Sequence, residues 1–470
     1  MTRRKIHLLV LLGMFMIVAN GNAQIVPNRT KNTKALMNSI FNGDEKGALS
    51  WLDKDVTIDG DSPDMNPLIN AIYYNLPQLA AALIEKGANV SIQNKDGDTP
   101  IMAAASMGDS MTIRLLFSKG ADPFKTNYRG YNAFDYSVYS GKYEATKYFL
   151  FEYLRQKKGT PEAKLREIET AVEEKAILKS LQPFGEEVAY LALLSKNADF
   201  YFKVIERFDI PISQTPYTNI SPMDISIVIN APEISKGLIT RGFPLTQPNK
   251  IGKLPIAFLS ASRQKELYLL FLQIMLKEKA SSKAERRIIT KLGKSNIKVR
   301  RLERLNLDFQ YLLMEYAIVS NDVPLVQRLL KQGVNPNGQN TTGVYFLSIC
   351  AQNKNTTMAR LLLENGADIH AQNDNTYHTT AFMEAASAND IPMGKLLLKY
   401  GARINFGDIN NDPALNYAVY YGHIDFVKFL LENKADFTMK GQGGYTALKT
   451  AKAHDYKEII ELLERYGATE

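Results

Sequence analysis

Cysteine occurs once in this chain, at Cys350, so no intramolecular disulfide can brace it. Histidine is nearly as scarce, with five residues, and only His370 and His378 share a loop. With Asp368 and Asp374 they are the one grouping in which a metal could be sought, but zinc sites group their ligands more tightly, and ordinary loop residues are the plainer reading. No GxSxG elbow, Ser/His/Asp order or paired-carboxylate setting stands out. Gly293-Lys294-Ser295 has the look of the end of a phosphate-binding loop, but the glycine required five positions earlier is Ile288, and no strand precedes it. The acidic stretch Asp53, Asp55, Asp59, Asp61 and Asp64, with Gly60 as turn glycine, would offer calcium Asp55, Thr57, Asp59 and finally Asn66, where the loop needs a bidentate Glu. An enzyme reading therefore has nothing to attach to, and no cofactor or metal is expected.

Long apolar runs are also missing. The longest, from Ile6 to Val18, is short against the roughly 20 residues that span a bilayer. It follows Arg3-Arg4-Lys5 and precedes Gly21-Asn22-Ala23, a secretory-signal pattern with cleavage expected after Ala23; the alternative is an uncleaved anchor. The mature chain is then expected in the periplasm or outside the cell. The formal charge of +8 falls to +5 once Arg3, Arg4 and Lys5 are removed, and residues 277–304 alone carry +8, so the remainder is slightly acidic. The basicity is one local patch rather than a property of the whole surface.

What is present is a recurring phrase, Leu-Leu-x-x-Gly-Ala-Asp/Asn. It ends in Gly87 and Gly120, 33 residues apart, and resumes at Gly333, Gly366, Gly401, Lys434 in the glycine slot, and Gly467, at intervals of 33, 35, 33 and 33. Such a period means stacked units, each burying a face against the next. Within one unit, Asp96-Gly97-Asp98-Thr99-Pro100 makes a turn and Thr99 can cap a helix starting at Pro100. Ile101, Ala104 and Ala105 give that helix a small apolar face. Gly108-Asp109 breaks the pair, Met111 to Lys119 forms a second helix, and Gly120 ends it in the left-handed position that favours glycine. Cys350 stands where another unit carries Ala104, which makes it a small core residue rather than a nucleophile.

These units resemble ankyrin repeats. Thr99-Pro100-Ile101-Met102-Ala103-Ala104 stands where that family writes Thr-Pro-Leu-His-x-Ala, residues 422–436 follow its second-helix consensus, and Thr446-Ala447-Leu448 and Thr380-Ala381-Phe382 repeat the helix start. The family's first-helix histidine is Met102, Met383 and Lys449 here, so its polar link to the preceding loop is expected to be missing. The resemblance is clear over residues 66–150 and 307–470. Ser221-Pro222-Met223 and Leu254-Pro255-Ile256, again 33 apart, suggest degenerate units between.

The resemblance implies an all-α helix-turn-helix solenoid with short β-hairpin turns, interrupted by helical insertions. The expected order is a signal at 1–23, a repeat block at 24–150, a charged insertion at 151–182, degenerate repeats at 183–276, a basic insertion at 277–304 and a second block at 305–470. It also implies a monomeric, non-catalytic scaffold that holds another protein along a concave face built from turn tips and first-helix ends. In those rows stand Tyr73, Tyr74, Tyr128, Arg129, Tyr131, Tyr139, Tyr377, His378, Tyr420, Tyr421 and Tyr445. Tyrosine is a favoured interface residue because it buries much area at low rotamer cost, although some of these rings could simply pack on the neighbouring unit. A second expectation is attachment to an anionic envelope surface through Arg286, Arg287, Lys291, Lys294, Lys298, Arg300, Arg301 and Arg304, against the plainer reading of a solvated helix face. Nucleic acid is not expected, since the patch lacks base-stacking aromatics.

Overall fold

The computed structural model describes residues 28–141, 143–213, 215, 217–259, 264–292, 305–374, 377–441 and 444–469. The expected signal segment lies outside them, as do Lys294, Lys298, Arg300, Arg301 and Arg304. The described residues divide into two compact units, one ending at Phe258 and the other starting at Leu259.

The N-terminal unit pairs helices α1 (Asn28–Phe41) with α2 (Glu45–Trp51), α3 (Pro67–Tyr73) with α4 (Pro77–Glu85), α5 (Pro100–Met107) with α6 (Ser110–Ser118), and α7 (Ala133–Tyr139) with α8 (Tyr143–Lys157). Helix α9 (Glu162–Glu173) and a 3-10 turn at Lys179–Phe184 follow. Two further pairs, α10 (Gly185–Leu194) with α11 (Ala198–Phe208) and α12 (Pro222–Val228) with α13 (Pro232–Thr240), lead to a 3-10 turn at Pro255–Phe258. Helices α1, α3, α5 and α7 pack in succession, and α12 packs on both α7 and α10. The C-terminal unit pairs α14 (Lys265–Lys279) with α15 (Lys283–Ile289), α16 (Leu307–Ser320) with α17 (Val323–Lys331), and α18 (Phe346–Gln352) with α19 (Thr356–Glu364). It continues with α20 (Ala381–Ser387) and α21 (Ile391–Lys399), α22 (Ala414–Tyr420) and α23 (Ile424–Glu432), and α24 (Ala447–Ala453) and α25 (Lys457–Arg465).

The period follows from what each helix must bury. Leu329, Leu362, Leu397, Leu430 and Leu463, one per second helix, are fully buried at the intervals of the glycine phrase. Ala104, Ala385, Ala418 and Ala451 are buried in the first helices, where their small side chains permit close packing. Gly120, Gly333, Gly366, Gly401 and Gly467 all have φ near +90°, as the left-handed cap requires. Lys434 occupies the same slot at φ +64°, where a Cβ costs roughly 1 kcal/mol. Lys434→Gly should therefore stabilise the C-terminal unit by about 1 kcal/mol in urea melts; an unchanged midpoint would mean the neighbouring turn already absorbs the strain.

The interval of 35 arises in one turn. The finger loops that precede the first helices close with a backbone hydrogen bond across four residues, as from Asn94 N–H to Asp98 O at 3.0 Å, Asn127 to Tyr131 at 2.9 Å and Asp408 to Asp412 at 3.1 Å. Asn373 closes across six instead, onto Thr379 O at 2.8 Å. These fingers are tight turns rather than β-hairpins: the described residues include no strand, and one isolated bridge, Gln339 to Tyr345.

Two boundaries differ from the sequence expectation. The segment expected as an insertion from 151 begins inside α8, whose Phe151, Tyr153 and Leu154 are buried core. The expected boundary at 276/277 falls within α14, and the division lies at 258/259. The spacing from Pro222 to Pro255 marks a repeated finger followed by a single 3-10 turn, with no first helix formed there.

Candidate functional site

Five of the described fingers are organised by their first side chain. Asn94 Oδ1 accepts the N–H of Asp96 and Asp98, Asn127 Oδ1 those of Arg129 and Tyr131, Asn249 Oδ1 those of Ile251 and Lys253, and Asn340 Oδ1 those of Thr342 and Val344. Asp408 does the same for Asn410 and Asp412. A side chain that satisfies two backbone donors fixes the loop and leaves the next residue at the tip. Buried polar pairs anchor the fingers to the helices behind them: Tyr136 Oη donates to Asp98 Oδ1 at 2.6 Å, and Tyr417 Oη to Asp408 Oδ2 at 2.7 Å.

The finger row of the N-terminal unit continues past the inserted α9. Asn219 Nδ2 donates to Gly130 O and Asn132 Nδ2 to Tyr217 O, both at 2.9 Å, so the finger before α12 lies directly on the finger before α7. Gly130, at φ +83°, also lies so close to the Asn249 finger that a Cβ would stand 2.8 Å from Ile251 Cγ2.

The structure sorts the expected interface residues. Tyr128 is 75% exposed at a finger tip, and Arg129 beside it is half-buried, 3.8 Å from Asp96. Tyr73 is buried, and desolvation beside Asp98 raises its hydroxyl pKa well above the usual value. Tyr131 is buried under the edge-on ring of Tyr139 and receives a hydrogen bond from Lys253 Nζ at 3.3 Å. Tyr139 is half-buried, and burial raises its pKa also. Tyr74 is half-buried against the ring of Phe41. Of the six N-terminal candidates, Tyr73 and Tyr131 thus pack inward, as neighbour-packing rings do, and Tyr74, Arg129 and Tyr139 are half-buried.

In the C-terminal unit, Tyr377, Tyr420 and Tyr445 are half-buried, while His378 and Tyr421 are exposed. Tyr420 and Tyr421 belong to a chain of rings. Tyr421 stacks on His423 at 5.9 Å and meets Tyr420 edge-on at 5.2 Å; Tyr420 meets His454 edge-on at 5.5 Å; and His454 stacks on Tyr456 at 5.3 Å. Desolvation pushes the His423 pKa down, which keeps this imidazole neutral beside the rings. Lys449 Nζ lies 4.2 Å over the Tyr445 ring.

Sequence reasoning passed over His423, His454, Tyr456 and, above all, Ile409. Ile409 is 62% exposed, and it follows Asp408 in its finger as Tyr128 follows Asn127. These two are the most exposed large apolar side chains among the described residues. The signal was available: at the same finger position stand Lys95 and Lys250, so an apolar residue there breaks the pattern.

The chemical candidates behave as structure. Cys350 is fully buried and its thiol pKa is pushed far up by desolvation, which removes it from any nucleophilic role. His370 Nε2 accepts the Arg403 N–H at 3.3 Å, and among the described residues no three His, Cys, Asp or Glu converge on a metal position. Asp59 and Asn66 are committed to backbone, Asp59 to the Asn89 N–H and Asn66 to capping α3. Met102 and Met383 fill the family's histidine position, and their sulfurs accept the N–H of Thr99 and Thr380 at 3.4 Å, a weak link where none was expected. No described helix is long and apolar enough to cross a membrane.

The family pattern of ankyrin repeats matches three times, over residues 68–160, 313–408 and 382–469, which is more than half of the chain. The chain belongs to the ankyrin repeat family. It is 31% identical to the fowlpox virus ankyrin repeat protein FPV031 over 160 residues, 32% of this chain and 46% of that protein. It is 28% identical to an ankyrin repeat protein of Acanthamoeba polyphaga mimivirus, L371, over 120 residues, 26% of this chain and 16% of that one. It is also 30% identical over 106 residues, 22% of this chain, to the Caenorhabditis elegans ankyrin repeat and KH domain-containing protein mask-1, of which that covers 4%. The chain spans less than half the length of each of these relatives. Ankyrin repeats are generally non-catalytic modules that mediate binding to another protein.

Proposed function

We propose that this ankyrin repeat chain is an exported, non-catalytic scaffold that holds a partner protein along its finger tips and first-helix ends. The observation that carries the reading is the pair Tyr128 and Ile409, large apolar side chains held in solvent at equivalent tips of two rigid fingers. Leaving such groups in water forgoes burial energy, and a partner surface recovers it. The ring chain around Tyr420 and Tyr421 supplies a second apolar, low-entropy contact on the last repeats. A second reading rests on α15, where Lys283, Arg286 and Arg287 are exposed, with Lys291 just beyond it: this face could hold the protein on an anionic envelope surface.

Capture from envelope extract with residues 24–470 tests both. Under the scaffold reading a discrete protein is retained at high salt. It is weakened about tenfold or more in a Tyr420→Ala/Tyr421→Ala variant that melts as the parent does. Recovery of lipid or polysaccharide alone, stripped as the Debye length falls below about 8 Å, would sink the scaffold reading and favour α15.

A further inference from the structure

A cavity of about 500 Å³ lies in the N-terminal unit between α8, the start of α10 and the end of α11. Four aromatic side chains stand in its otherwise largely polar lining: Tyr153 from α8, Tyr217 from the finger before α12 and Phe208 at the end of α11 are buried, while Phe124 stands 40% exposed. The Tyr153 and Tyr217 rings lie 5.9 Å apart, and Phe124 meets Tyr153 edge-on at 5.4 Å. Among these rings sits one carboxylate, Glu187, only 7% exposed, which accepts a hydrogen bond from Tyr217 Oη. Exposed Glu186 and Asp209 also line the cavity, and the one cation in the lining is exposed Lys158.

Ring faces are negative at their centres and attract an organic cation most strongly where water is excluded. A buried carboxylate among them supplies the counter-charge, and a lining with three acids against one base repels anions. We infer that this cavity binds an organic cation, an alkylammonium or guanidinium head, through the rings of Phe124, Tyr153, Phe208 and Tyr217 and the carboxylate of Glu187. The cation can arrive free or as a lysine or arginine side chain of a partner segment. The two sources share the same head-group chemistry and differ in what their stem requires. The site is distinct from the finger tips and does not depend on them.

Calorimetric titration of the full chain tests the inference with four probes: choline, its neutral carbon isostere dimethylbutanol, an end-blocked tripeptide with central lysine, and inorganic phosphate. Saturable binding of choline or the lysine peptide is expected, with no measurable binding of the isostere or phosphate; the stronger of the two cations identifies the source. Glu187→Gln and Phe124→Leu should each weaken the cation by about tenfold. Lys158→Gln should tighten it, because it removes the competing charge. Phe124 is partly exposed and Lys158 exposed, so these two variants can be read even if Glu187→Gln melts early. Equal binding of the neutral isostere, binding of phosphate instead, or cation binding indifferent to Phe124→Leu and Lys158→Gln would each overturn the inference.

Discussion

Replacing Phe134 with alanine should cost the N-terminal unit about 3–5 kcal/mol and uncouple its two halves. Phe134 sits on α7 with no exposed surface and touches four rings: Phe149 edge-on at 4.8 Å, Tyr217 at 5.0 Å, and Phe124 and Tyr153 at 5.5 Å. Phe149 and Tyr153 belong to its own repeat, whereas Tyr217 lies in the finger before α12, on the far side of the inserted α9. One side chain therefore fills the junction between the regular repeats and the helices after the insertion. Truncating it removes the burial of a whole ring and leaves a cavity lined by rigid aromatics that cannot collapse to fill it. Hydrogen exchange followed by peptide should show α10 to α13 losing protection while α3 to α6 keep theirs. A uniform small loss across the unit, or none, would mean that the hydrogen bonds between the fingers carry the junction alone.

The period of the fold was legible because its causes are local. A left-handed cap at Gly120 or Gly401 and one fully buried leucine per second helix are demands of a single helix pair, and each pair states them again. The junction at Phe134 was not legible, since its partner Tyr217 is 83 residues away and nothing in the composition of the insertion says where the chain returns. For the same reason the sequence could not separate Tyr128 from Tyr131. They belong to one finger, but Tyr131 is covered by Tyr139 and Lys253, and Lys253 comes from a finger two further along the stack. Exposed tips, by contrast, follow the local Asx pattern, and Ile409 beside Asp408 is legible from it, although a search for tyrosines alone passes over it. The cavity beneath Tyr217 joins residues from Phe124 to Tyr217, far apart in the chain, and so was not legible either.

Acidifying the protein from about pH 8 to pH 5 should raise its melting temperature, the reverse of what salt-bridged carboxylates produce. Two buried acids, one in each unit, contribute most, and burial raises the pKa of Glu187, Asp224 and Glu384 in the same direction. Asp135 caps α7, accepting N–H groups from Asn132 and Asn219, and desolvation raises its pKa to about 7. Glu315 on α16 is fully buried; Tyr268 Oη donates to its Oε1 at 2.5 Å and Asn340 Nδ2 at 3.1 Å, while Oε2 has no partner among the described residues, and desolvation raises its pKa to about 7. A pKa higher in the folded chain than in the unfolded one means that the folded state holds the proton more tightly. The stability it supplies is complete below the unfolded value near pH 4 and is lost as pH rises through about 7. At about 1.4 kcal/mol per pKa unit, Glu315 alone accounts for up to roughly 3 kcal/mol of that loss. Glu285 and Asp436, whose pKa values are lowered, act in the opposite direction at lower pH, and His423, lowered from the usual imidazole range, offsets part of the gain inside this window. Glu315→Gln keeps an oxygen for Tyr268 and Asn340 and removes its titration, so it should lessen the pH dependence of the C-terminal unit, where Glu384 and His423 still titrate, while leaving that of the N-terminal unit in place. A variant that retained the parent's slope in both units would show that Glu315 is already protonated throughout this range or does not titrate with folding.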